Sequence, residues 1–231
     1  MFIYKDVQSN YRKWICTYSL TMKKIFSPNV TLSKSDISNC VNFANQMAYG
    51  KWYHNPNAFM WDYHRNSKEI FINALQWKLA EVAFYNFYHG ENPDLGLTEP
   101  DFSVWWEGKR EDTDIEINGK KISIKSTKHF GNLLLLECDR YTDTGLYKEP
   151  ANWWEPIKHD LIYLVRIKWI DSADPKYYEN ADIQAEITWY ITHENFLDII
   201  KSKQYIKKGS VLWIPLIVDN YYICTKDLNL P

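Results

Sequence analysis

The pattern of apolar and polar positions divides the chain into a helical first part and a strand-rich remainder. Residues 1–65 are aromatic and weakly periodic. They predict two helices, around 10–25 and 34–49, the second with Ser33 or Ser35 as cap and Gly50 as stop. The clearest helical signal is NSKEIFINALQWKLAEVAFYNFYHG, where Asn66 stands three residues before Glu69 as an N-cap with its capping-box partner and Gly90 marks the end. After the loop ENPDLGLTEP the period changes from helix to strand. DFSVWW at 101–106 predicts a strand, EGKRED a turn, and DTDIEINGKKISIKS two strands joined at Asn118-Gly119, the strongest short-range hairpin signal. Further strands are predicted at 132–138, 161–170, 183–191, 211–218 and 221–225, with an irregular Trp-rich stretch to residue 159 and a helix at 193–203. Helices, then an antiparallel meander, then mixed elements argue for an α+β or mixed α/β fold rather than a doubly wound parallel sheet. No internal repeat, low-complexity tract or long linker is present, so one domain over 1–231 is expected: a helical portion at 1–65, a core at 66–138 and the remaining elements at 139–231.

Composition narrows the class without naming a partner. The chain of 231 residues is 45% hydrophobic and 24% charged with a formal charge of −2, which excludes disordered and fibrous classes and gives no bulk attraction to a polyanion. Eleven Trp and 17 Tyr are the anomaly, suited to a core, an interface or a stacking surface. The first twenty residues alternate polar and apolar positions and lack the apolar stretch of a signal peptide. The densest apolar window, LIYLVRIKWI, is interrupted by Arg166 and Lys168, so no membrane span is expected. Cys16, Cys40, Cys138 and Cys224 have neither zinc-site spacing nor disulfide density and are expected as reduced, mostly buried thiols of a cytoplasmic protein.

The chemistry concentrates on the hairpin. With the turn at Asn118-Gly119, Asp114 lies opposite Ser123, and Lys125 follows two residues on along the same face. Ile115, Ile117, Ile122 and Ile124 occupy the opposite face and fix the register. A surface cross-strand ion pair is one reading of Asp114 and Lys125; a reactive pair is the other. Glu81, enclosed by Leu79, Ala80, Val82, Ala83 and Phe84, is either an exposed helix position shared with Lys78 or a carboxylate that needs a partner or a cation.

Together these residues resemble the PD-(D/E)xK nuclease superfamily, and type II restriction endonucleases within it. KLAEVAF (78–84) is similar to that family's helix, and DIEINGKKISIK (114–125) to its motif hairpin; the resemblance spans residues 66–138. It implies a restriction-endonuclease-like core, a central mixed sheet containing an antiparallel meander flanked by helices. It further implies a Mg²⁺-dependent endonuclease acting on double-stranded DNA, with a homodimer to match two-fold symmetric targets. Asp114 and Lys125 would be catalytic, with Glu81 and Ser123 beside them. Asp114, Glu81 and Glu137 are the candidate metal ligands. Ser123 departs from the pattern, which has Glu or Asp two residues before the lysine, and a serine does not replace a carboxylate as ligand to a hard cation. Either the chain is an inactivated member that binds nucleic acid without cutting it, or the missing acid has migrated, to Glu81 first, Glu137 second, or Glu116. Pro100-Asp101 supplies a literal Pro-Asp, read here as a turn, and Asp112 is a further neighbour of the lysine. Ser126 and Thr127 are either phosphate donors or ordinary strand-end residues.

Beyond the hairpin, Lys128, Arg140, Tyr141, Asn152 and Trp153 are candidate DNA contacts, the last four in a loop rich in residues that read base edges or stack on splayed bases. The same loop also suits a dimer contact. The paired lysines at 120–121 and 207–208 read as solvated faces from which phosphate contacts can be drawn.

Overall fold

A computed structural model describes residues 2–7, 15–20, 27–50, 66–103, 114–128, 131–148, 155–168, 170–210 and 216–229. Strands β1 (Phe2–Val7) and β2 (Ile15–Leu20) pair antiparallel, Phe2 opposite Leu20. A strand therefore stands where a helix over 10–25 was predicted. The alternation of polar and apolar positions there carries the two-residue period of a strand, and it prevails over the weak helical spacing. A short strand β3 (Asn29–Thr31), not predicted, leads into helix α1 (Lys34–Tyr49). The Ser33 hydroxyl caps α1 by accepting from the Asp36 N–H, and Asp36 accepts from the Ser33 N–H in return. Helix α2 (Ser67–Glu91) has the predicted box, Asn66 with Glu69, but runs through Gly90 and is capped by Asn92.

Residues 101–103 have no strand structure, and 104–106, the rest of that predicted strand, lie outside the described residues. The hairpin forms as expected: β4 (Ile115–Ile117) and β5 (Lys120–Lys128) pair with Ile115 opposite Ile122. Asn118 and Gly119 take φ values of 49° and 77°, the left-handed pair that a two-residue hairpin turn of this hand requires. Next come β6 (Leu133–Glu137), β7 (Leu161–Ile167), β8 (Gln184–Thr192), helix α3 (His193–Lys201), β9 (Tyr205–Ile206) and β10 (Asn220–Cys224). The two-residue β9 was not predicted. Of the strand predicted over 211–218, residues 211–215 lie outside the described residues and 216–218 are irregular.

The molecule is mixed α/β. Its five-stranded sheet runs β3-β8-β7-β5-β4, with β5 and β7 parallel and the other neighbours antiparallel. The predicted meander breaks at β6, which leaves this sheet and joins a second in the order β6-β10-β9. Where β6 departs, the Gly131 N–H donates to the Lys128 carbonyl and a side chain at 131 would collide with Thr127. Beyond the turn, buried Arg166 of β7 holds Asn132 (3.3 Å) and pairs with Glu186 of β8, which fixes where β6 begins.

Each face of the five-stranded sheet has its own core. Ile115, Ile122, Ile124, Val165 and Ile187 face α1 and α2, where Phe71, Leu75, Leu79 and Phe84 complete one apolar layer. Ile162, Leu164 and Ile191 face the other way, toward Leu134, Leu136, Tyr141, Phe196 and Ile223 from the second sheet, α3 and the loop after β6. Strict alternation along β5 and β7 produces this division. It assigns Asp114, Ser123 and Lys125 to the face away from α2. Among the described residues no helix is long and apolar enough to cross a membrane. Cys40 is buried, while Cys138 and Cys224 are half-buried.

Candidate active site

Asp114 stands where β4 begins, one residue before its first ladder pair. Its Oδ2 accepts from the Ile124 main-chain N–H at 2.5 Å and from the Ser123 hydroxyl at 3.3 Å. The carboxylate thus substitutes for a strand carbonyl and closes the open end of the hairpin. Oδ1 has no protein partner among the described residues. Ser123 is 1% exposed, wedged between the hairpin and Ile162 of β7, its register partner. It acts on Asp114 and has no surface left for solvent.

Lys125 lies two residues further along the same face. Among the described residues it makes no ion pair; its ammonium sits over the Tyr147 ring, 5.5 Å from the centroid. A cross-strand ion pair with Asp114 is therefore not what the two residues form. The aromatic face stabilises the cation without neutralising it, so its charge remains available to an anion.

Tyr147 belongs to the loop that covers this face. It bridges Tyr141 on one side and Ile157 on the other, and its ring meets Tyr141 edge-on at 5.4 Å. Tyr141 is buried in the second core against Phe196 (4.8 Å), so it has no face free to stack on a base, contrary to the expectation for a DNA-contacting tyrosine. Burial first, and then the charges of Tyr147, Asp114 and Glu137, push its phenol well above the usual range. Asp114 and Glu137 thus both act electrostatically on one buried hydroxyl.

Glu137, at the end of β6, is partly exposed and paired with Arg140 (Oε2 to Nε, 3.3 Å). Arg140, a candidate DNA contact, is engaged by this acid. Lys128 closes β5 half-buried. Asn152 and Trp153 lie outside the described residues, as does Asp112. Glu116 faces Lys121 across the hairpin, and its main-chain N–H donates to the Thr98 hydroxyl at 2.8 Å. Asp101 closes a turn on Ser103, the turn role expected of it. Of the two strand-end hydroxyls, Ser126 accepts from the Gln76 side-chain amide at 3.2 Å, toward α2, and Thr127 packs on Gly131.

Glu81 is held elsewhere. It is 2% exposed and pairs with Lys78 at 2.5 Å; Lys78 in turn donates to the Asp101 carbonyl at 2.6 Å and lies over Phe43 and Trp77, each 4.7 Å from its centroid. The pair faces α1, and burial together with Lys78, Asp36 and Glu81 acts on the Cys40 thiol there, raising its pKa on balance. The structure therefore brings Asp114, Ser123 and Lys125 to one face, with Tyr141 linked to it through Tyr147, and leaves Glu81 between the helices. Sequence reasoning missed Tyr147. Its only signal was its place in an aromatic loop.

The donor set can be weighed against a divalent cation. Among the described residues no group of three His, Cys, Asp or Glu side chains is arranged to hold a metal. Mg²⁺ needs fewer, since one or two carboxylates suffice when waters and substrate phosphate complete its shell. The open Oδ1 of Asp114 and the Glu137 carboxylate are hard oxygen donors of that kind. Comparison with protein-family models, curated sequences and solved structures finds no match to the chain.

Proposed function

We propose that this chain is a divalent-metal-dependent DNA endonuclease of the restriction-endonuclease-like kind, hydrolysing phosphodiester bonds in double-stranded DNA as a homodimer in the cytoplasm. The observation that carries the reading is the shared face of Asp114 and Lys125, in a register locked by the Asn118-Gly119 turn, with the ammonium unpaired by any acid among the described residues. Mg²⁺ held by Asp114 and Glu137 would polarise the scissile phosphate and acidify a bound water. Lys125 offsets the negative charge that builds on the phosphate as the bond breaks, a task for a compact cation with no acid paired to it among the described residues. Ser123 fixes the Asp114 rotamer by hydrogen bonding and is not itself a ligand. The Tyr147 ring covers one side of the ammonium.

One observation favours a second reading. Ser123 stands where the family pattern has an acid, and Asp114 already closes the hairpin through Oδ2. A chain that kept this arrangement for stability alone would bind nucleic acid without cutting it. A plasmid-cleavage assay with and without Mg²⁺, repeated with Asp114→Asn and Lys125→Met, separates the two. Metal-dependent cleavage lost in both variants supports the nuclease. Retained DNA binding with no cleavage by the wild type supports the binding protein. Discrete fragments would mark a sequence-specific enzyme and a smear a non-specific one.

A further inference from the structure

Residues 199–218, from the last turn of α3 to the approach to β10, hold four lysines and no acid, in a chain whose formal charge is −2. All four, Lys201, Lys203, Lys207 and Lys208, are exposed, and so is Tyr205, at 37%. Buried Ile206 sets the alternation of β9, so Tyr205 before it and Lys207 after it turn outward. Acids do little to neutralise the group. Asp198 is 3.7 Å from Lys201 with both side chains in solvent, a separation at which an ion pair is weak. Asp219 accepts from the Lys208 main-chain N–H, and Lys203, Lys207 and Lys208 form no ion pair among the described residues.

The backbone at Lys203 shows that a charge is kept here at a cost to the fold. The Lys203 N–H donates to the Ile200 carbonyl and the Gln204 N–H to the Ile199 carbonyl, the two bonds that close a helix through a left-handed residue. Lys203 holds that place at φ 55°, a conformation in which glycine escapes the clash that a lysine incurs. Helix closure alone favours glycine, so the ammonium is what the position retains.

The sheet connects this tract to the end of β6. Ile206 and Glu137 both lie opposite Asn220 of β10, which sets Ile206 two strand spacings, about 10 Å, from Glu137. A compact anion needs donors that converge, and lysines spread along the chain from 201 to 208 do not provide them. Separate ammonium groups on long stems suit an array of separate negative charges, as a nucleic-acid backbone presents. We propose that Lys201, Lys203, Tyr205, Lys207 and Lys208 form a track for the phosphate backbone of duplex DNA. The choice of partner rests on the nuclease reading above; the track supplies affinity and takes no part in the chemistry.

The test reads salt dependence. Binding of a short labelled duplex is followed by fluorescence anisotropy in EDTA, so that no cleavage intervenes, from about 50 to about 200 mM NaCl. Each phosphate contact contributes about 0.9 to the slope of log affinity against log salt. Lys201→Gln, Lys203→Gln, Lys207→Gln and Lys208→Gln combined should therefore flatten the slope by about 3 to 4 and weaken low-salt binding by at least about tenfold. Lys34→Gln with Lys176→Gln, exposed lysines on and beside α1, should leave the slope unchanged. Lys203→Gly alone should flatten it by about 1 and melt no lower than wild type, which separates lost binding from lost folding. An unchanged slope in the combined variant, or equal flattening by the control pair, overturns the track. So does a wild type that binds vesicles containing phosphatidylserine and not duplex. A wild type that binds with the expected slope but does not cleave in Mg²⁺ sinks the nuclease reading and leaves the track standing. Cleavage by the wild type with the slope unmoved in the combined variant sinks the track alone.

Discussion

The Asp114 carboxylate and the Ile124 main-chain nitrogen are joined across the hairpin at 2.5 Å. One acid thereby closes the end of β4 and offers its second oxygen to the site. The two roles separate by substitution. Asn keeps an acceptor for the Ile124 N–H and removes the charge, whereas Ala removes both. Asp114→Asn should melt close to wild type and lose Mg²⁺-dependent cleavage. Asp114→Ala should lose a further ~1–3 kcal/mol in urea unfolding, the cost of an orphaned donor. Full cleavage by the Asn variant would remove Asp114 from the chemistry.

Lys125 is tested by charge alone. Lys125→Met keeps a stem against Tyr147 and deletes the ammonium, so cleavage should disappear while stability changes by about 1 kcal/mol or less, the value of an exposed cation–π contact. A large loss of stability with cleavage intact would mean that the lysine serves the fold.

The buried Lys78–Glu81 pair gives the opposite pattern. Glu81→Ala strands a cation among Phe43, Trp77 and Phe102, and should cost about 3–5 kcal/mol. Lys78→Met combined with Glu81→Leu should recover most of that loss. Mg²⁺-dependent cleavage per folded molecule should survive in the double variant, because the pair faces α1. Its loss there would return Glu81 to the catalytic set.

His193, the first residue of α3, predicts a pH dependence. Burial lowers its pKa below the ordinary 6.5, Lys158 adds to the effect, and Asp160, Glu194 and the Thr144 backbone oppose it. The unfolded chain then takes up the proton at a higher pH than the folded one. Stability should be complete above about pH 6.5 and decline as pH falls toward the folded value. Denaturant midpoints between about pH 7 and pH 5 should show this slope, and His193→Gln should flatten it.

Much of the framework was legible because its signals are local. The Asn66 and Ser33 caps, the Asn118-Gly119 turn and the alternating isoleucines each act within a few residues, and the face shared by Asp114 and Lys125 follows from them. What was not legible depends on distant partners. NLLLLEC reads as a strand whichever sheet receives it, and its partner β10 lies more than eighty residues further along the chain. The apolar neighbours of Glu81 announce burial but not direction, since α2 buries residues around much of its circumference. Tyr141 sits in a loop whose residue types suit exposed nucleic-acid contacts, and its burial follows from bridges to Tyr147 that no periodicity encodes.

The pairing of β6 with β10 sets an order of assembly. Glu137 lies opposite Asn220, whereas Asp114 and Lys125 are set on one face by a turn of two residues. On a growing chain the hairpin can close as soon as it is made, but Glu137 gains its strand partner only after some eighty more residues have been added. A nascent chain of this protein would carry the acid and the lysine together and still lack a fixed second carboxylate. Synthesis of β10 would then be the event that fixes the second carboxylate of the proposed site.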